Sequence, residues 1–488
     1  MNYQPVIGLE VHIELSTKSK MFCSCSADYF GTKPNTHTCP VCLGLPGAMP
    51  KANKLAIEFV QKLGLALNCQ PQLSSKFDRK NYFYPDLPKG FQISQYDLPF
   101  SKKGFLIIRV NGSTKKISIT RAHLEEDTAK LSHATINGKR VTLIDFNRSG
   151  VPLMEVVSEP EMSSAAEAKA YAQKLQQIVR YLEISDADME KGSMRIEPNV
   201  SLRDVSQVSK VPRVPHALPN YKVELKNINS FRFAEKAINY EIERQTQVLK
   251  SGKIPHQETR GWDEKNNRTV SQRTKELAHD YRYFPEPDLA PFEFDQVYFS
   301  KLQSQIPELP DQKRERFLIS YQILESEATL LCQDKYMANF FEETVKAYKG
   351  SPKKVVNWIT GELLRRLNQT GQGIGDINLL PAQLAELLYF VDQNRITNAT
   401  AKEIFEKMIQ STKSASELIS ELDLVLMSQK ELEKLTETVI KNNQKAVADF
   451  KNDKKESLDF LIGQVQRLSK GKADPALVRQ LLLDKLKS

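Results

Sequence analysis

No stretch of this chain approaches the roughly 20 consecutive apolar residues that a membrane-spanning helix needs, and the opening MNYQPVIGLEVHIELS has no basic region leading into an apolar run. A helical membrane span is excluded, and the expected location is the cytoplasm. The phosphate loop GxxxxGK[ST] is absent. The GQGIGD at 371–376 follows the helix-periodic KVVNWITGELLRRLNQ, not a strand, so it reads as a connection between helices. Nor does any lone cysteine stand with a histidine and an acid in the way glutamine hydrolysis requires. Cysteine is scarce altogether, 6 among 488 residues. Four of them cluster as Cys23, Cys25, Cys39 and Cys42, while Cys69 and Cys332 stand alone. In a reducing compartment the spacing C-x-C-x13-C-x2-C favours metal over disulfides, with four thiolates closing a tetrahedral zinc site and His37 near enough to substitute. Such a site has no open position, so its expected role is structural.

The length points to about three domains. The net charge of +9 is unevenly spread: residues 1–120 hold 15 Lys/Arg against 7 Asp/Glu, and residues 441–488 hold 11 against 6, leaving the middle slightly acidic. Two basic ends suit a polyanion touched at two places, although a Lys-rich solvated surface gives similar counts. Strand and helix signals mix up to about residue 294. Helical periodicity then takes over, with one helical domain expected over 295–398 and a Lys-rich helical tail over 399–488, where Gly471 and Pro475 mark a stop and a restart. The expected fold is therefore α+β at the N-terminus, mainly antiparallel with flanking helices, followed by two all-helical domains.

Four segments alternate with a period of two. In VIGLEVHIELS the set Ile7, Leu9, Val11, Ile13 alternates with Gly8, Glu10, His12, Glu14; KISITRAHLEEDTAK puts His123, Glu125 and Asp127 on one parity and Glu126 on the other. MRIEPNVSLRD leaves Arg195, Glu197, Asn199 and Ser201 opposite its apolar set, and YKVELKN pairs Glu224 with Lys226. Each strand offers a carboxylate on a polar face. Cross-strand ion pairs on a wetted sheet would account for that. So would oxygen ligands for a divalent cation, magnesium best, with His12 a less natural ligand. The segment RKNYFYPDLPKG at 79–90 joins Arg79, Lys80, Asn81 and Tyr82 to Pro85 and Pro88, and reads as a stiff loop whose cations and rings suit phosphates and a flat base, or equally as a surface turn with its rings packed beneath and its charges in water. It has an echo in DYRYFPEPD at 280–288.

Taken together, VIGLEVHIEL, KFDRKNYFYPDLPKGFQISQ, RAHLEEDTAK, DFNRSGVPLMEVVSEP, GSMRIEPNVSLR, VELKNINSF, ETRGWDE and DYRYFPEPDL closely resemble the B-subunit family of the aspartyl/glutamyl-tRNA amidotransferases, from residue 3 through KGKADPALV. The resemblance implies a cradle domain, a helical domain and a tRNA-recognising tail. It also implies ATP-dependent phosphorylation of the side-chain carboxylate of Glu-tRNA(Gln) or Asp-tRNA(Asn), then amidation by ammonia from a glutamine-hydrolysing amidase subunit, with a small third subunit in the assembly. It places magnesium on Glu10, His12, Glu125, Glu126, Glu197 and Glu224, catalysis on Glu10, His12, Glu125 and Lys80, and ATP phosphates or the tRNA acceptor end on Arg79, Lys80, Asn81, Tyr82 and Lys226. Where the family reads an acid this chain has Lys191, and where it reads Asp-Ala-Asn this chain has Glu197, Pro198 and Asn199. The rival reading from the same residues is a non-catalytic, zinc-containing tRNA-binding scaffold that presents tRNA to a partner enzyme.

Overall fold

A computed structural model describes residues 3–205, 218–274, 281–422, 427–451, 454, 456–469 and 472–487. The chain forms two compact units, Met1–Pro310 and Asp311–Ser488.

The first unit is built on a nine-stranded sheet in the order Arg268–Thr274, Glu258–Asp263, Val223–Lys226, Met194–Asp204, Tyr3–Glu14, Pro152–Ser158, Ser113–Glu126, Ser101–Val110, Gln70–Pro71. All pairings are antiparallel except that of Val223–Lys226 with Glu258–Asp263. Tyr3–Glu14 lies in the middle. Its apolar parity, Ile7, Leu9, Val11 and Ile13, is buried in one core with Ile57, Val60 and Leu63 of the helix Lys54–Ala66, Tyr171, Leu175 and Val179 of Ala165–Tyr181, and Ala237 and Ile238 of Phe231–Lys250. Each of these helices begins at a side chain that accepts the free N–H groups of its first turn: Asn53, Ser164 and Ser230. Since strand residues alternate faces, the opposite parity forms a second, polar face of the sheet.

The stretch from Arg79 differs from the loop the prolines suggested. Asp78–Asn81 is a short strand, paired on one edge with Phe91–Ser94 and on the other with Phe284–Pro285. Pro85 and Pro88 fall in the turn beyond it, where a missing donor costs nothing. The echo noticed at 280–288 is thus the partner of the segment it echoes: Phe284 opposes Arg79, and Asn81 N–H donates to Tyr281 O at 2.9 Å.

The first unit extends beyond residue 294. The helix Gln296–Ser304 packs with Lys54–Ala66, and Tyr298 Oη donates to the buried Gln61 at 2.6 Å. The second unit is helical, with two apolar clusters. One runs from Phe317 to Ile419 and the other from Leu432 to Leu486. The helices Asn398–Gln410 and Ala415–Glu421 supply Ile404, Phe405 and Leu418 to the earlier cluster, so the clusters part between Ile419 and Leu432 and not at 398. GQGIGD is a connection holding a single short turn, Ile374–Asp376. Pro475 opens the last helix, Pro475–Lys487, while Gly471 lies outside the described residues.

Candidate functional site

Register decides which polar residues meet. On the polar face Glu10 opposes Glu197, His12 opposes both Arg195 and Glu155, Glu155 opposes His123, and Asn199 opposes Glu224. Five adjacent strands therefore deliver their acids to one surface, in three neighbouring groups.

In the first group, potential ligand atoms of His12, Glu125 and Glu155 lie within 4.8 Å of one another. His12 Nε2 is 3.5 Å from Glu155 and 4.0 Å from Glu125; His123 Nε2 is 3.3 Å from Glu155 and 3.8 Å from Glu125. Ser94 Oγ donates to Glu125 at 3.1 Å. Burial opposes ionisation of Glu155 and Glu125. It is overcome, at Glu155 by the two histidines and at Glu125 by Lys80 and His123, and both carboxyls are held below the usual range. Burial disfavours the imidazolium of His12, yet the Glu155 carboxylate pushes its pKa up to about 9. Lys80 is likewise raised against its own burial by Glu125, Tyr283 and Glu155, and its ammonium lies 5.2 Å from the Tyr281 ring centre and 5.8 Å from that of Tyr82.

The second group is Glu10, Glu197 and Glu224, again within 4.8 Å. Lys226 Nζ bridges Glu197 at 3.0 Å and Glu224 at 3.2 Å. Asn199 Nδ2 donates to Glu10 at 2.9 Å, and its buried Oδ1 has no partner among the described residues. Burial, then the Glu155 charge, raises the Glu10 carboxyl. A cavity of about 350 Å³ opens beside this group, lined by Gly8, Glu10, Ser158, Asn199, Tyr221 and Lys222.

In the third group Asp127 is held low, against its burial, by Arg148 and Arg195; Arg195 Nη2 donates to it at 2.6 Å. Burial and Asp127 push Glu14 up to about 8, and Tyr29 Oη donates to Glu14 at 3.0 Å. Tyr29 belongs to the cysteine segment. Cys23, Cys25, Cys39 and Cys42 converge within 4.8 Å. Cys39 N–H donates to Cys42 Sγ at 3.2 Å, and the fully buried Lys20 places its ammonium 3.7 Å from that sulfur while donating to His37 O at 2.7 Å. A hydrogen bond from Cys23 draws the Cys42 thiol down to about 4.

Among the residues expected at a site, the structure gathers Glu10, His12, Lys80, Glu125, Glu197, Glu224, Lys226 and the four cysteines. Glu197, despite the longer side chain, reaches its group. Glu126, of opposite parity, does not: it pairs with Lys89 and accepts Ile93 N–H at 2.9 Å, anchoring the neighbouring strand. Arg79 is committed to the buried Glu286 by a two-pronged pair at 2.7 and 2.9 Å, and Asn81 is tied to the carbonyls of Tyr281 and Arg282. Tyr82 turns its hydroxyl to Gln92 at 3.1 Å and leaves its ring beside Lys80. Lys191 sits apart with Asp186 and Asp188. Sequence reasoning missed Glu155. Its neighbours Leu153, Met154, Val156 and Val157 read as a wholly buried run, and the lone acid at its centre was the available signal.

Comparison with known proteins adds an independent result. Residues 5–300 match the family described as "GatB/GatE catalytic domain" and residues 339–486 that described as "GatB domain". Proteins named as the B subunits of aspartyl/glutamyl-tRNA(Asn/Gln) amidotransferases are similar over their whole lengths: the one from Thermoanaerobacter pseudethanolicus is 47% identical over 487 residues, that from Caldanaerobacter subterraneus 48% over 487, and that from Persephonella marina 46% over 488, each covering 100% of both chains.

The Arg79 pairing yields a stability prediction. Arg79→Met strands the buried Glu286 carboxylate and should cost about 3 kcal/mol, read by urea unfolding, with Glu286→Gln added to it recovering part of the loss. An unchanged unfolding midpoint for Arg79→Met would mark Arg79 as a free, ligand-directed group.

Proposed function

We propose how a chain that belongs to the GatB family of tRNA-dependent amidotransferase B subunits performs its share of the reaction. As such it is part of a glutamine-dependent carbon–nitrogen ligase. Its substrate is tRNA carrying a misplaced glutamate or aspartate, whose side-chain carboxylate is a poor electrophile because oxide would have to leave. A carboxylate oxygen bonds to the γ-phosphorus of ATP as the bond to ADP breaks. Ammonia, supplied by a partner amidase and with a small third subunit completing the assembly, then bonds to the acyl carbon as phosphate departs and the nitrogen sheds a proton. Such phosphoryl transfer needs positioning and charge neutralisation above all.

The observation that carries this reading is the meeting of two acid groups on one sheet face with Lys80, which reaches them from the neighbouring strand Asp78–Asn81. Three carboxylates at Glu10, Glu197 and Glu224, with Lys226 bridging two of them, form an all-oxygen donor set that fits a hard divalent cation. His12, Glu125 and Glu155 offer a second set. Magnesium held there would neutralise phosphate charge. Lys80 contributes a fixed cation beside Glu125, and the cavity at Gly8 and Asn199 has room for a nucleoside next to the oxygen donors. A non-catalytic scaffold would leave this convergence of acids without a purpose. The four sulfurs of the cysteine group fit zinc, with the Cys39 N–H and Lys20 supporting a thiolate at Cys42 as outer partners do. By way of Tyr29 that site braces the Glu14 end of the polar face.

Glu10→Gln, Glu125→Gln and Lys80→Ala should each lower misacylated-tRNA-dependent ATP hydrolysis by the assembled enzyme ~100-fold or more, with tRNA affinity within a few fold of wild type. Retained turnover in all three would overturn the site; loss of tRNA binding instead would favour the scaffold.

Elemental analysis should find one zinc per chain, lost in Cys39→Ser together with the order of residues 20–45. Unchanged metal content in that variant would remove zinc from the account.

The tail is the proposed grip on the tRNA body. Since the last apolar cluster begins at Leu432, deleting 428–488 spares the core before it. For each phosphate no longer neutralised, the slope of log affinity against log salt should flatten by roughly 0.7 to 0.9, with hydrolysis of free glutamine unaffected. The same affinity and slope would leave the tail lysines as solvated surface.

A further inference from the structure

The polar face does not end at the acid groups. One strand further on it becomes cationic. A groove of about 600 Å³ runs over the strands Ser101–Val110 and Ser113–Glu126, and Lys102, Lys103, Lys116, Arg121, Tyr96 and Phe105 give it its character. Its two acids are already engaged: Asp97 pairs with Lys76 at 2.6 Å, and Glu159 accepts the Thr120 hydroxyl at 2.6 Å. None of the four cations forms an ion pair among the described residues. Lys102 donates to the Asp97 backbone carbonyl, and Lys116 lies 3.9 Å from the centre of the Phe105 ring. Lys103 is exposed and takes a positive φ of 52° where the strand is irregular. A sheet surface whose four cations outnumber its two acids, one of them already paired with Lys76, is arranged for a polyanion.

Two interactions join the groove to the acids. Arg121 Nε donates to His123 Nδ1 at 3.3 Å, and the other nitrogen of His123 faces Glu155. Tyr96, 57% exposed, stacks on Tyr283 with ring centres 4.4 Å apart and planes at 10°, and Tyr283 is among the groups that act on Lys80. Tyr96 therefore presents one free ring face at the groove while the other is fixed by the wall of the reaction site. Cations spaced along an extended channel with an aromatic platform at its inner end are what a single-stranded nucleic acid recognises: the charges follow the phosphates and the ring takes a base. A nucleoside triphosphate has its negative charge at one end and would leave the far cations unmatched.

We propose that this groove is the track for the single-stranded 3′ end of the aminoacylated RNA, with Lys103 and Lys116 on its phosphates, Tyr96 stacking a terminal base, and the attached amino acid directed past Arg121 to the acids. The inference rests on the tRNA amidotransferase reading above.

Lys103→Gln with Lys116→Gln, and separately Tyr96→Ala with Tyr96→Phe as its conservative control, are assembled with their partners and titrated with misacylated tRNA and with the same tRNA trimmed of its single-stranded 3′ end. The lysine pair should weaken binding of intact tRNA and flatten its salt slope by roughly 0.7 for each phosphate no longer held. Tyr96→Ala should weaken it about fivefold or more and Tyr96→Phe should not. Trimmed tRNA should bind wild type and variants alike, and KM for ATP and glutamine hydrolysis should stay at wild-type values. Unchanged binding of intact tRNA, an equal loss for trimmed tRNA, or a raised KM for ATP would each overturn the assignment. A wild-type enzyme without tRNA-dependent ATP hydrolysis would instead overturn the reaction, a separate result read before any variant is compared.

Discussion

Tyr3–Glu14 is hydrogen-bonded along both edges in the middle of nine strands, so its register is fixed from two sides. A slip of one residue would turn Ile7, Leu9, Val11 and Ile13 outward and drive Glu10 and His12 among the helices. Each such apolar side chain is worth about 2 kcal/mol when buried, so the slip would forfeit roughly 8 kcal/mol before any cost of burying a carboxylate. The apolar parity thus holds the polar parity in place. Glu10 stands opposite Glu197, and His12 opposite Glu155, because the core on the other face allows no alternative.

Crowding acids in this way is unfavourable without compensation, and the protein supplies it unevenly. Asp127 has two arginines, and its neighbour Glu14 is pushed up to about 8 by burial and by that charge. Glu197 and Glu224 share Lys226. Glu125 and Glu155 are held below the usual range by Lys80 and two histidines, whereas Glu10, raised by burial and by the Glu155 charge, accepts the side-chain amide of Asn199 and is offset only in part by Lys222. Compensation that stops short of neutrality leaves a face suited to cations that arrive with a substrate. The four-cysteine segment and the Arg79–Glu286 pair stand outside this face and stiffen its borders, one through Tyr29 and the other through the strand that carries Lys80.

Much of this was legible in the sequence, for reasons of range. Period-two alternation is local, so the strands carrying Glu10, Glu125, Glu197 and Glu224 and the parity of Glu126 could be read from the chain itself. The four cysteines declared themselves by spacing. What escaped depended on partners far away in the chain. Arg79 and Asn81 looked like free ligand-binding groups because Glu286 and the Tyr281–Arg282 carbonyls lie some two hundred residues downstream. Glu155 was hidden in an apolar run because its strand is buried on one face and nearly closed over by neighbouring side chains on the other. The basic groove escaped as well, since Tyr96, Lys103 and Lys116 share no motif and meet only through strand pairing and the turn before it.

Under the proposed function, one sheet face gathers ligands for divalent cations around a phosphoryl-transfer site. Crystals of the assembled enzyme soaked in manganese, with anomalous scattering recorded to locate it, test that most directly. Manganese is expected between Glu10, Glu197 and Glu224, with Lys226 displaced from at least one of them, and between His12, Glu125 and Glu155. Soaked crystals with no manganese at either group, and with Lys226 still bridging Glu197 and Glu224, would contradict it.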